Sequence, residues 1–248
     1  MSNSKSIDTE GTILFNDPIL PQDREFRTWY RVIGDIKSGK RPLVAIHGGP
    51  GANHEYLLLG QSDIPAKTGR ALIVYDQIGN GKSTHIPDKI NDTSFWTMKL
   101  FTAELDNLLS KLGVKSDFDL VGHSWGGMVA AEYAIAYSSG LKHLILSSTP
   151  ASLLSWSKAI NARVDDLPTD TKLKVRELDE KEAWTDEEYQ GPLNSLQKKH
   201  ICRLDPWPVE VENFFGAVLK DPTVYFTLLG PSQLRVLGSL RGRSNFCF

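Results

Sequence analysis

The run Phe118-Asp119-Leu120-Val121-Gly122-His123-Ser124-Trp125-Gly126-Gly127 passes from a short apolar segment, through a glycine-flanked serine, into a stretch of small residues. Residues 118–121, interrupted only by Asp119, predict a buried strand. Residues 126–137, with Ala130, Ala131, Ala134 and Ala136, predict a helix able to pack closely on a sheet. Between them Gly122-x-Ser124-x-Gly126 matches G-x-S-x-G. A turn this tight strains its central residue and crowds the positions two either side, so glycine at both removes the colliding Cβ atoms. The serine hydroxyl is left above the sheet edge, at a helix N-terminus whose partial positive charge favours a developing anion. The bare pattern arises by chance in any chain rich in glycine and serine. The strand before it and the helix after it select the reading in which Ser124 is a nucleophile. His123 reads as a strand-end residue and not as the base, because adjacent strand residues point to opposite faces.

The same alternation continues on both sides. Residues 12–15 and 26–33 predict strands, the second with the apolar/polar alternation of a half-exposed sheet. Leu43-Val44-Ala45-Ile46, Ala71-Leu72-Ile73-Val74-Tyr75 and Leu144-Ile145-Leu146 are continuous apolar runs that suit parallel strands covered by helices on both faces. Residues 101–112 carry Phe101, Leu105, Leu108, Leu109 and Leu112 at helical spacing and stop before Gly113. Strands alternating with helices imply an α/β fold with a mostly parallel sheet. From 151 to 220 the composition changes: Trp156, Trp184 and Trp207 appear with Pro168, Pro192, Pro206 and Pro208, and no strand-like run does. The charged stretches 175–187 and 194–203 predict helices in an insertion lying over the sheet. The expected organisation is a core over 12–150, a helical cap over 151–235 and a divergent tail over 236–248.

A second motif points to the same chemistry. His47-Gly48-Gly49-Pro50-Gly51 follows the 43–46 strand, the place where a fold of this type builds its other oxyanion donor. Carbonyl addition puts negative charge on oxygen, and two backbone N–H groups aimed at it stabilise that charge. One would come from Trp125, the residue after the nucleophile, and the other from the Gly48-Gly49 turn, with Gly49 as the donor. By itself a Gly-Gly-Pro-Gly run is a plain loop; its place after a strand and before the serine turn gives it meaning.

Weaker candidates fall away. Gly79-Asn80-Gly81-Lys82-Ser83 resembles part of a phosphate loop, but G-x-x-x-x-G-K-S needs glycine where Asp76 stands. Asp76 and Gln77 read as structural residues that order a strand-end loop. His54, His85 and His143 lack metal-ligand spacing and default to surface or loop roles. Cys202 and Cys247 form no C-x-x-C and no disulfide framework. Neither a metal nor a cofactor is called for.

The 248 residues carry 28 basic and 30 acidic side chains, a net charge of −2. That balance argues against nucleic acid or an anionic membrane surface as the main partner, since both need a basic face. No apolar stretch approaches the roughly 20 residues that span a bilayer. The polar segment 1–10 lacks the apolar core of a signal peptide, so a cytoplasmic location is expected.

Taken together, H-G-G-P-G at 47–51, Asp76-Gln77-x-Gly79-x-Gly81-x-Ser83 and G-x-S-W-G-G at 122–127 resemble the proline iminopeptidase family of α/β-hydrolases. His200, Arg203, Asp205-Pro206-Trp207-Pro208, Asp221 to Tyr225 and Gly230-Pro231-Ser232 resemble that family's cap region, so the likeness runs from about Thr12 to Leu240. The resemblance implies a serine aminopeptidase that removes an N-terminal residue, often proline, from a small peptide or aminoacyl amide through an acyl-serine intermediate. It also implies an acid and a base on strand units beyond 236–240, whereas Arg241 to Phe248 does not look like that continuation; a truncated chain is expected. The histidines after Ser124 are His143, at the wrong end of its predicted strand, and His200, in a predicted cap helix. The family pattern G-P-[SN]-E-F, whose glutamate is associated with the substrate's α-amino group, is here Gly230-Pro231-Ser232-Gln233-Leu234. Gln233 can accept a hydrogen bond from an ammonium but brings no charge. Three readings follow: the aminopeptidase; an esterase or amidase without α-amino recognition; and a non-catalytic protein that keeps the fold and exposes an unpaired sheet edge.

Overall fold

The structure, a computed structural model, describes residues 8–137 and 139–241. The readings made on 1–7, on Cys247 and on the tail from 242 lie outside these residues. Six strands form one sheet: β1 (Asp8–Leu14), β2 (Arg27–Ile33), β3 (Leu43–Ile46), β4 (Leu72–Tyr75), β5 (Phe118–His123) and β6 (Leu141–Ser147). Their order across the sheet is β1-β2-β4-β3-β5-β6. β4, β3, β5 and β6 run parallel, while β1 and β2 are antiparallel. This is the α/β-hydrolase architecture, with the mostly parallel sheet that the apolar runs imply.

Every residue of β3 and β4 is buried, as is all of β5 except its last residue, because helices lie over both faces. α1 (Glu55–Gln61) and α2 (Ile64–Thr68) follow β3, α3 (Met98–Lys111) follows β4, and α4 (Trp125–Ala136) joins β5 to β6. Thr97 caps α3 by accepting the Leu100 N–H, and Phe101, Leu105, Leu108 and Leu109 point into the core. α4 buries Gly126, Gly127, Ala130 and Ala131 against β3, β5 and β6.

β6 departs from the sequence expectation. Its apolar run reads as a strand covered on both faces, yet Ile145 is 50% exposed and Leu146 37%. Among the described residues β6 is the last strand of the sheet, pairing with β5 alone and leaving its far edge open.

Beyond β6 the described chain holds only helices: α5 (Leu153–Asp165), α6 (Thr169–Glu180), α7 (Glu187–His200), α8 (Val209–Lys220) and α9 (Thr223–Leu228). The helix expected over 175–187 is interrupted. Glu182 takes φ 59°, and Asp186 starts a new helix by accepting the Glu188 N–H. Its carboxylate is a better cap than an interior helix residue, which periodicity alone does not register. Val164, Val175, Leu178, Tyr189, Leu193 and Leu234 give this segment a core of its own.

Candidate active site

Four parallel strands end at one edge of the sheet, and the loops that follow them meet there. In open α/β sheets this carboxyl edge is where ligands bind. Ser124 sits at the end of β5 as the residue before α4, with φ 53° and ψ −119°. That conformation costs a non-glycine residue on the order of 1–3 kcal/mol and persists only because the surroundings enforce it. The enforcement is visible. The Ser124 N–H donates to the Ser147 carbonyl (2.9 Å), and the Gly127 N–H donates to the Ser124 carbonyl (3.0 Å). A Cβ on Gly122 would strike the backbone of Gly126 and Gly127, and one on Gly126 would strike the carbonyls of Ile46 and His47. The second contact also brings the turn against the end of β3, beside His47-Gly48-Gly49.

The serine faces a cleft of about 340 Å³ whose wall includes Ser148, Thr149, Ser152, Ser155 and Trp156, from the loop after β6 and the start of α5. A second hollow, of about 350 Å³, lies within residues 14–26 of the β1–β2 loop, and Ser124 is not among the residues that line it.

Behind the cleft is a buried polar network. Gln77 donates its backbone N–H to His47 Nε2 (3.1 Å) and its Nε2–H to the His47 carbonyl (3.0 Å), and its Oε1 accepts from the Trp125 indole (2.9 Å). His47 Nε2 is therefore an acceptor, and the ring proton sits on Nδ1, 2.8 Å from the Gly48 carbonyl. Burial lowers the pKa of this imidazole, which fits its neutral role. Asp76 Oδ1 accepts from both the N–H and the Nδ1–H of His54 (2.8 Å each), and Oδ2 accepts from the Lys82 N–H (2.9 Å). Burial pushes the Asp76 carboxyl up, but the His54 bond and the other donors outweigh it and the net pKa is lowered. Asp76 and Gln77 thus order the strand-end loops. His54 corrects its surface expectation: it is 2% exposed, paired with Asp76 and packed on Trp29. The signal for it was present, because a buried aspartate in a strand-end loop needs a donor.

The oxyanion loop also needs a correction. The Gly48 N–H donates to Tyr56 Oη (2.7 Å), so Gly48 is not a free donor, and Gly49 (φ 124°) is left as the candidate in that turn. Trp125, as the first residue of α4, has an N–H without a partner one turn back.

The remaining candidates lie elsewhere. His143 is near the start of β6, at the far end from Ser124, and its Nδ1 is 2.9 Å from Asp119 Oδ1. His200 ends α7 and is exposed. His85 pairs with Asp221, tying the loop after β4 to the start of α9. Among the described residues no side chain hydrogen-bonds the Ser124 hydroxyl, and no cluster of three His, Cys, Asp or Glu side chains is placed to hold a metal. Gln233 lies within a directional chain of amides. Gln197 Nε2 donates to Gln233 Oε1 (3.0 Å), Gln233 Nε2 donates to Gln190 Oε1 (3.0 Å), and Gln190 Nε2 donates to the Trp184 carbonyl.

Comparison with known proteins agrees with this geometry. Residues 41–225 match the alpha/beta hydrolase fold family. The chain is 33% identical to a proline iminopeptidase of Clostridium botulinum over 225 residues, 90% of this chain and 73% of that protein. It is 43% identical to one of Lactiplantibacillus plantarum over 134 residues, 54% of this chain and 45% of the other. Among solved structures it is similar to VinJ (40% identity, TM-score 0.84) and to the proline iminopeptidase of Mycobacterium smegmatis (33%, 0.80). Each comparison covers 95% of this chain and 76% of the other. With the serine turn, the glycine loop and the sheet order in place, the chain belongs to the proline iminopeptidase family of α/β-hydrolase-fold proteins.

Proposed function

We propose that this chain is a serine hydrolase that releases the N-terminal residue of a small peptide or aminoacyl amide through an acyl-Ser124 intermediate. The observation that carries the reading is the strained Ser124 at the head of α4, opening on the cleft beside the glycine loop. In this reaction Ser124 Oγ adds to the substrate carbonyl, the Gly49 and Trp125 amides hold the oxyanion, and the amine leaves with a proton. Water then hydrolyses the acyl-enzyme. The helices of 153–228 act as a cap that bounds the substrate, with Trp156 as one wall of the cleft. Incubation with chromogenic aminoacyl amides, including prolyl, tests the reading. Turnover lost in Ser124→Ala supports it, and turnover no greater than that of Ser124→Ala rules this chain out as a catalyst. That second outcome is the one expected of a non-catalytic member of the fold.

Substrate choice turns on Gln233. Its amide is held by Gln197 and Gln190, and a flip to present oxygen elsewhere would break both bonds. This favours an esterase or amidase that does not recognise a charged α-amino group. Comparison of an aminoacyl amide with its N-acetylated form separates the two specificities. A preference for the free amine of a hundredfold or more would exclude neutral recognition.

A further inference from the structure

Tyr56, in the first turn of α1, occupies a junction that none of the motifs names. Its Oη accepts from the Gly48 N–H (2.7 Å) and lies 2.8 Å from His123 Nδ1. The ring packs edge-on against His123 (centroids 5.3 Å apart, 64°) and against Phe214 of α8 (5.0 Å, 82°). One side chain therefore touches the glycine loop, the residue immediately before Ser124, and the helical segment above them.

Proton accounting fixes the direction of these bonds. A backbone N–H can only donate, so Oη accepts from Gly48. The phenol proton needs an acceptor of its own, and among the described residues His123 Nδ1 is the atom that can take it. Nδ1 is then unprotonated and the ring carries its proton on Nε2. A neutral imidazole is what this half-buried position favours, since burial lowers the His123 pKa. The loop is gripped from the other side by Gln77, which holds His47 by two bonds and Trp125 by a third.

We infer that Tyr56 is a positioning residue: by holding the Gly48 amide and His123 together it sets the Gly49 amide against Ser124, and so fixes the oxyanion site before substrate arrives. The catalytic part of this inference rests on the hydrolase reading above. The geometric part does not. Preorganised donors outperform donors that must be recruited during the reaction, because no reorganisation is needed as charge develops. The same junction explains why the loop needs two glycines in succession: a Cβ on Gly48 would crowd Tyr56 Oη and His123 Nδ1 at 3.1 Å each, and Gly49 is turned by φ 124°.

Nitrogen-15 NMR of the histidine rings tests the geometry without any variant. The expected spectrum shows His123 in the Nε2–H tautomer; an Nδ1–H tautomer overturns the proposal. In Tyr56→Phe the ring contacts with His123 and Phe214 remain, so the fold is expected to persist. The Gly48 amide should exchange faster and the His123 tautomers should mix. In the active enzyme Tyr56→Phe should lower kcat by about ten- to a hundredfold, part of the loss seen when one oxyanion donor is removed, with KM changed less than about threefold. A lower melting temperature with kcat intact would overturn the positioning role and leave Tyr56 a packing residue. If the native chain shows no Ser124-dependent turnover while the His123 and Gly48 signatures appear as expected, the hydrolase reading fails and the junction stands.

Discussion

Glu104 of α3 is a carboxyl with no exposed surface; it accepts from Thr28 Oγ1 (2.5 Å) and from the Ile78 N–H (2.9 Å). Burial pushes its pKa up to about 8, against an ordinary value near 4.5. The folded state thus holds this proton more tightly than the unfolded chain does. The stabilisation is full below about pH 4.5, declines as pH rises, and is gone above about pH 8, at a slope of at most about 1.4 kcal/mol per pH unit. Thermal unfolding of Glu104→Gln across pH 6–9 should therefore be flatter than that of the native chain; an unchanged slope would refute the assignment. Asp76 behaves in the opposite sense, since its pKa is lowered and its stabilisation is present only while it is ionised. Asp76→Ala leaves the buried N–H and Nδ1–H of His54, and the half-buried Lys82 N–H, without their acceptor. It should cost roughly 2–5 kcal/mol in denaturant titration. The serine turn and the glycine loop were legible because each is written in consecutive residues. The pairing of His54 with Asp76, 22 residues on, of Tyr56 with Gly48, eight residues back, and of Tyr56 with His123, 67 residues on, was not, because no short motif links these positions.

The strand–turn–helix from β5 to α4 is the element on which the site depends, and its glycines are contacts as well as turns. Gly126→Ala should destabilise by about 1–3 kcal/mol or more, because its Cβ meets the carbonyls that end β3. It should also slow labelling of Ser124 by a phosphonate, since the glycine loop must move; normal labelling with an unchanged melting temperature would contradict this contact. β3 and β4 were readable to within one residue, because a strand buried on both faces shows as an unbroken apolar run, whereas β5 continues two residues past its apolar run to His123. Residues 43–46 are the clearest instance. The helices after β6 were read less well. Asp186 and the turn at Glu182 divide what periodicity presents as one helix, and α8 was passed over although Val211, Phe214, Phe215, Val218 and Leu219 stand at helical spacing, none of them fully buried.

Taken as one body, the described residues leave the sheet unequal at its two sides. β1 and β6 each pair on one side only, but β1 presents the polar Asp8, Thr9 and Glu10 at exposed positions, whereas β6 exposes Ile145 and Leu146 along an apolar edge. An apolar open edge promotes association, so the chain should sediment as larger species with rising concentration, and Ile145→Lys should reduce this. Concentration-independent sedimentation of the native chain would refute it. Local sequence carries the class of fold, the serine turn and the glycine loop, because each depends on residues close in the chain whose backbone demands glycine or an apolar run. Tertiary contacts carry which of the two loop glycines keeps a free amide, which histidines are buried, and which strand stands at the edge. These depend on partners from eight to many tens of residues away, outside any one motif, and a hydrogen bond or a buried face exists only once the fold has brought both sides together.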